Sequence, residues 1–278
     1  MVIQIHLKYL KISVMLFSLS PLLFLTINGC GTLSNGRGWG QDATLRPGWA
    51  RIRRAAIKAS SSPETWAPVA AALALQIDDL DGRVSDWASE NTPVFGSRDH
   101  ADKWSDHLVN SSGAVYLLTV LATPSGDDPP EWLKSKFKGL MTGTAAWGLT
   151  AGATDLLKGG LGRTRPDGSD NRSLPSGHTS AAASFTTLSR YNIRTLSMPS
   201  KQAVIMNMGI AGIAAGTAWA TIEANRHYPS DVLLGYALGH FFSNFINDAF
   251  LGIDFKKEAF FIIDPLIDGV MVSMGWQY

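Results

Sequence analysis

Cysteine is almost absent from this 278-residue chain. Cys30 is the sole one, so no internal disulfide can form. A surplus of either charge is missing too: 24 basic and 23 acidic side chains leave a net charge of +1. That balance excludes a broad basic surface and argues against nucleic acid as a partner. Long period-two alternation is lacking over the main body, which excludes a major sheet. What remains is 45% hydrophobic and 17% charged, an ordinary globular balance tilted slightly apolar. The length suits one large domain or two small ones.

The first thirty residues read as an export signal. Lys8 and Lys11 give a positive start, and Ile12 to Ile27 is almost wholly apolar. The run is short for a spanning anchor. It ends in "INGC", which resembles the lipobox of bacterial lipoproteins, with Cys30 as the lipidated mature N-terminus. Gly31 follows where an aspartate would suggest inner-membrane retention, so the resemblance implies an outer-membrane anchor facing the periplasm. Loss of residues 1–29 would take the net charge from +1 to −1. Residues 30–55 then read as a tether rich in Gly and polar residues. Residues 56–250 read as the main domain and 251–278 as a tail, in which "AFFII" and "VMVSM" are β-prone.

The main domain reads as helical. Ser62 before Pro63 suits a helix start. Leu73, Ile77, Leu80, Val84 and Trp87 recur at steps of four and three, the period of one apolar helical stripe. Further helices are expected over about 106–121, 132–158, 178–190, 202–219 and 229–250. Glycines four apart, such as Gly139/Gly143 and Gly235/Gly239, fit close helix packing. The run from Gln202 to Ile222 carries no charge and is long enough to span a bilayer. Asp231, His240 and Asp248 in the last helix would be costly in lipid. The expectation is therefore a soluble helical domain held at a membrane by its lipid.

Three short segments carry chemistry. "KGGLGRTRP" places Lys158, Arg163 and Arg165 close together, side chains that donate hydrogen bonds and suit an anion. "LPSGHTS" joins a turn at Ser176 and Gly177 to a helix start, where free backbone N–H groups cradle anions. His178 stands beside it, and an imidazole titrates near neutrality. In "EANRHYPSD", Asp231 lies four residues after His227. A carboxylate there can fix the tautomer and leave the other ring nitrogen basic. Each segment alone also fits a basic surface loop or a capped helix start. His240 reads as a satisfied core histidine.

In this order and spacing the three segments resemble the type 2 phosphatidic acid phosphatase superfamily, which includes class A acid phosphatases and vanadium haloperoxidases. The resemblance covers roughly residues 105 to 250 and implies an all-α helical bundle of the acid phosphatase/haloperoxidase type. It implies that His227 attacks phosphorus, that Asp231 orients it, and that His178 serves as acid and then base. Lys158, Arg165, Ser176 and Gly177 would hold the phosphate oxygens. The substrate would be a phosphorylated small molecule or lipid, with no metal and no other cofactor.

One residue departs from the pattern. The family places an arginine six residues before the histidine, and here that position is Thr221. Arg163 and Arg226 are candidate auxiliaries for the missing clamp. Three rival readings use the same residues: a non-catalytic phosphate or lipid binder, a vanadate-dependent haloperoxidase, and a metal hydrolase built on His178, His227 and Asp231. Lys158, Arg163 and Arg165 would repel the cation of the last. Oligomeric state leaves no mark in the sequence.

Overall fold

The computed structural model describes residues 31–253, together with the backbone of two strands in the tail. The leader and Cys30 lie outside the described residues. The expected all-α architecture is borne out. Among the described residues the helices are α1 (Trp49–Ser61), α2 (Pro63–Ala74), α3 (Leu80–Asn91), α4 (Arg98–Ala122), α5 (Pro129–Leu161), α6 (Gly177–Ile193), α7 (Ser200–Glu223) and α8 (Pro229–Ile246). A π-turn, Asn247–Leu251, closes α8. In the tail, β1 (Ala259–Leu266) pairs antiparallel with β2 (Gly269–Trp276).

Helix α6 is the axis of the bundle, packed by α4, α5, α7 and α8. Its buried face is built from small residues, Ala182, Ala183, Ser184 and Thr187 among them. Small side chains let neighbouring backbones come close. The tightest approach is from α8: a Cβ on Gly239 would lie 2.3 Å from the Ser180 carbonyl oxygen, and one on Gly235 2.6 Å from that of Ser176. Gly139 and Gly143 on α5 do the same for the Trp39 ring and the Tyr116 hydroxyl. Trp39, in the segment read as a tether, is thereby part of the core with Tyr116, Leu188 and Ile246.

Short connections make α4 and α5, α6 and α7, and α7 and α8 run antiparallel. The Thr154–Ser180 hydrogen bond sets the end of α5 against the start of α6. The end of α5, the starts of α6 and α8, the end of α7 and the start of α4 therefore gather at one pole. The loop 162–176, entered through Gly162 in a left-handed conformation (φ 58°), lies there as well. Helices α1–α3 lie on the outer side of α8, and α3 also touches α7.

The expected stripe from Leu73 to Trp87 does not form one helix. The chain breaks at Asp78 and Asp79, both at positive φ, a region aspartate tolerates better than most residues. Leu73 and Ile77 are 69% and 70% exposed, so these apolar positions are not core. Ser62 does begin α2, but its hydroxyl contacts His240 Nε2 at 3.1 Å instead of capping the helix. Helix α7 is long and apolar enough to cross a membrane by length and composition, with 22% of its apolar window buried.

Candidate active site

At the polar pole, the three sequence segments meet. The backbone N–H of Ser176, at the start of α6, donates to the carbonyl oxygen of Asp231 in the first turn of α8 (2.9 Å). This single bond sets the "PSGH" segment against the "RHYPSD" segment. The Ser176 side chain is buried and accepts from Thr179 N–H, capping α6. Gly177 faces Lys158, whose Cε would lie 3.7 Å from a Cβ placed there.

His227 sits just before α8 and is 2% exposed. Its backbone N–H bonds to the Thr221 carbonyl in the last turn of α7 (3.3 Å). Its Nδ1 faces Asp231 Oδ2 at 3.7 Å, too long for a hydrogen bond but near enough to orient the ring. Catalytic bonds are commonly long in unliganded sites and tighten around the reacting group. The other nitrogen, Nε2, lies 3.5 Å from Arg165 Nη1. Burial pushes the imidazole pKa below its ordinary value, and the facing Lys158 and Arg165 push the same way, against the pull of Asp231. The ring is thus neutral at pH 7, with its Nε2 turned toward the Arg165 guanidinium.

Asp231 is fully buried and held from both sides. Arg163 Nη1 donates to Oδ1 (2.8 Å), while the Ser173 hydroxyl (2.5 Å) and the Tyr228 backbone N–H (2.9 Å) donate to Oδ2. Burial alone would raise the carboxyl pKa. The imidazole, Ser173, Arg163 and the Tyr228 N–H outweigh it and hold the group below its ordinary value. Lys158 donates to the Arg172 carbonyl oxygen at 2.5 Å. Burial and the neighbouring Arg165 bring its pKa down to about 8. Arg165 is steadied by Asp170 (2.7 Å) and by the Arg226 carbonyl (3.4 Å).

His178 differs. Its side chain is partly exposed, and Nε2 lies 2.8 Å from Asp106 Oδ1 of α4. Arg226, a candidate auxiliary, is engaged by both oxygens of Asp102 (2.9 and 3.1 Å) and by Asp167 (3.1 Å). Arg163 is engaged by Asp231 and, at 2.7 Å, by Asp81. Thr221 is buried, its hydroxyl donating to the Ala218 carbonyl.

Ser173, Asp106 and Asp81 were not singled out in the sequence. Ser173 stands two residues before Pro175, and only the loop's fold turns it toward Asp231. Asp106 and Asp81 lie in ordinary polar stretches with no motif to mark them. Beside Lys158 and Gly177 opens a cavity of about 290 Å³ between α5 and α6, walled by Trp147, Ala151, Thr154, Asp155, Ser180 and Ala181.

The profile of the PAP2 superfamily matches residues 105–251, more than half of the chain. Over 108 residues the chain is 36% identical to a lipid A 1-phosphatase of Porphyromonas gingivalis, which covers 38% of this chain. The match spans only about a fifth (22%) of that relative's length. Among solved structures, a transmembrane PAP2-type phosphatidylglycerolphosphate phosphatase from Bacillus subtilis aligns with a TM-score of 0.46 and 20% identity. The alignment covers 63% of this chain and 88% of that one.

Proposed function

The chain belongs to the PAP2 superfamily, and on that premise we propose that it hydrolyses lipid phosphate monoesters through a phosphohistidine at His227. The observation that carries this reading is the asymmetry of that imidazole. Its Nδ1 side faces a carboxylate held ionised by three donors, and its Nε2 side faces only cations. Such a ring is a nucleophile held in place.

In the first step the Nε2 lone pair attacks phosphorus and the bond from phosphorus to the ester oxygen breaks. His178, protonated, gives its proton to that departing oxygen. In the second step His178 takes a proton from water, the water oxygen attacks phosphorus, and the P–N bond breaks to release phosphate. Phosphoryl transfer asks for positioning and for positive charge around the equatorial oxygens. Lys158, Arg165 and the free N–H groups at the start of α6, including Gly177, supply that charge without a metal. The buried Ser176 hydroxyl is occupied in capping α6, so its help comes mainly through that helix start. Asp106 aims the His178 ring.

The lipid substrate is supported by the cavity beside Lys158, whose apolar wall of Trp147, Ala151 and Ala181 suits a hydrocarbon chain leaving the phosphate. Exposed Leu149, Leu156 and Leu161 continue the apolar character of α5 outside it. The Porphyromonas gingivalis relative, 36% identical over 108 residues, is by name a phosphatase of a phosphorylated lipid. Export and lipidation of Cys30 would place the domain at such a surface.

Thr221 in place of the motif arginine favours a second reading, a protein that binds phosphate without turning it over. Absence of one charge-assisted donor costs about 2–4 kcal/mol of transition-state stabilisation, or two to three decades of rate. The test is a panel of lipid phosphates and a chromogenic monoester, run with vanadate and with a chelator. The phosphatase reading expects turnover that vanadate blocks and chelation spares. Vanadate or phosphate binding with no turnover of any ester would establish the second reading instead.

A further inference from the structure

We propose that Asp81, from a helix outside the segment matched to the family, is a positioning residue that braces the nucleophile of this reaction through Arg163 and Asp231. The inference rests on the phosphohistidine reading above. Asp81 stands in the first turn of α3 and is 2% exposed. Its Oδ1 accepts the backbone N–H of Ser230 (2.8 Å). Its Oδ2 accepts the Ser230 hydroxyl (2.5 Å), Arg163 Nη2 (2.7 Å) and Gln76 Nε2 (3.3 Å). Four donors on one buried carboxylate make a fixed point, and every bond but the last leads to the catalytic pole.

Two consequences follow from the geometry. First, the Ser230 N–H is one of the free donors at the start of α8, and α8 supplies no side chain of its own to that group. Asp81 caps it from another helix and so fixes the turn that carries His227 and Asp231. Second, one guanidinium is shared by two carboxylates: Arg163 reaches Asp81 with Nη2, and Asp231 and Ser230 with Nη1 (2.8 and 2.7 Å). It lies over the Tyr228 ring at 4.0 Å, which leaves it little room to swing. Two acids and one base leave a formal surplus of one negative charge. That surplus is offset when His227 turns cationic in the phosphoenzyme, so the brace favours the intermediate over the resting state.

The charged groups facing the His227 ring are Lys158 from α5, Arg165 from the loop and Asp231 from α8. Asp81 acts from behind Asp231. Replacing it by asparagine keeps the shape and removes the charge. The imidazolium then loses support, and the His227 pKa moves further down. The proposal predicts that Asp81→Asn lowers kcat per active site by about tenfold or more, with KM changed by less than about twofold. It also predicts that the acid limb of kcat and the NMR titration of the His227 ring both shift to lower pH. Active sites are counted by vanadate binding.

A merely structural Asp81 would cost melting temperature and active fraction while leaving kcat per site, the acid limb and the ring titration as in the native protein; that result overturns the proposal. The ring titration needs no turnover. If the native protein is inactive yet Asp81→Asn still shifts the ring, the phosphatase reading falls and the brace stands. Should Asp81→Asn not fold, Asp81→Glu keeps the charge but displaces it. That variant is expected to lose kcat severalfold with the ring titration near native, and an unchanged kcat per site would overturn the proposal.

Discussion

Two buried histidines, His227 just before helix α8 and His240 within it, each lie beside a carboxylate, and they are built in opposite ways. His240 is closed: Nδ1 meets the Thr187 hydroxyl at 3.1 Å, and Nε2 meets Ser62, Asn244 and, at 3.4 Å, Glu64. His227 is open: one nitrogen faces Asp231, the other only a guanidinium. Burial lowers both pKa values, His240 to about 4. Burial and a nearby acid therefore do not mark a reactive histidine. On the proposed reading, what marks it is an imidazole nitrogen that faces only cations, beside which an anion would be welcome.

The comparison breaks most sharply under substitution. His227→Ala is expected to lower kcat by about four decades or more, whereas His240→Gln leaves it within about twofold. A steady-state assay on one lipid phosphate reads both, and comparable losses would erase the distinction. His178→Asn should fall between them, at about two to four decades, as the loss of a general acid does. Thr221→Arg sharpens the open site from the other side. If the vacant clamp limits the rate, kcat/KM rises by about tenfold or more. The side chain must leave a buried position at the end of α7, so a well-folded variant with no gain would show that no clamp is vacant.

The smallest effects are in pH. Lys158 must be protonated to hold phosphate, so kcat/KM is expected to fall as pH rises through about 8. His240 is neutral in the fold and more basic in the unfolded chain. Its stability contribution is present above the ordinary histidine pKa and lost as pH falls toward about 4. Glu64, also depressed, acts in the same direction. Melting curves between pH 7 and 4 should therefore show a shallower loss in His240→Gln than in the native protein.

The convergence of the candidate site could be read from the sequence because its residues lie in three contiguous motifs, each fixed by local backbone geometry. The long helices were legible too, from their apolar runs, though their ends drifted by several residues. What escaped was tertiary. Asp81 and Asp106 gain meaning only when α3 and α4 are laid against the pole, and Ser173 only when its loop folds back. The stripe from Leu73 to Trp87 misled because period alone cannot tell an inward apolar face from an outward one. Arg226, a candidate auxiliary by its place beside His227, is bound by Asp102 and Asp167.

The most direct measurement is capture of the covalent intermediate. Native protein and His227→Ala would each be mixed with a phosphate-labelled lipid ester, quenched in alkali to preserve phosphohistidine, and mapped by mass spectrometry. The account predicts label on the peptide containing His227 in the native protein and none in the variant. Turnover without label on that peptide, or label retained in the variant, would contradict it.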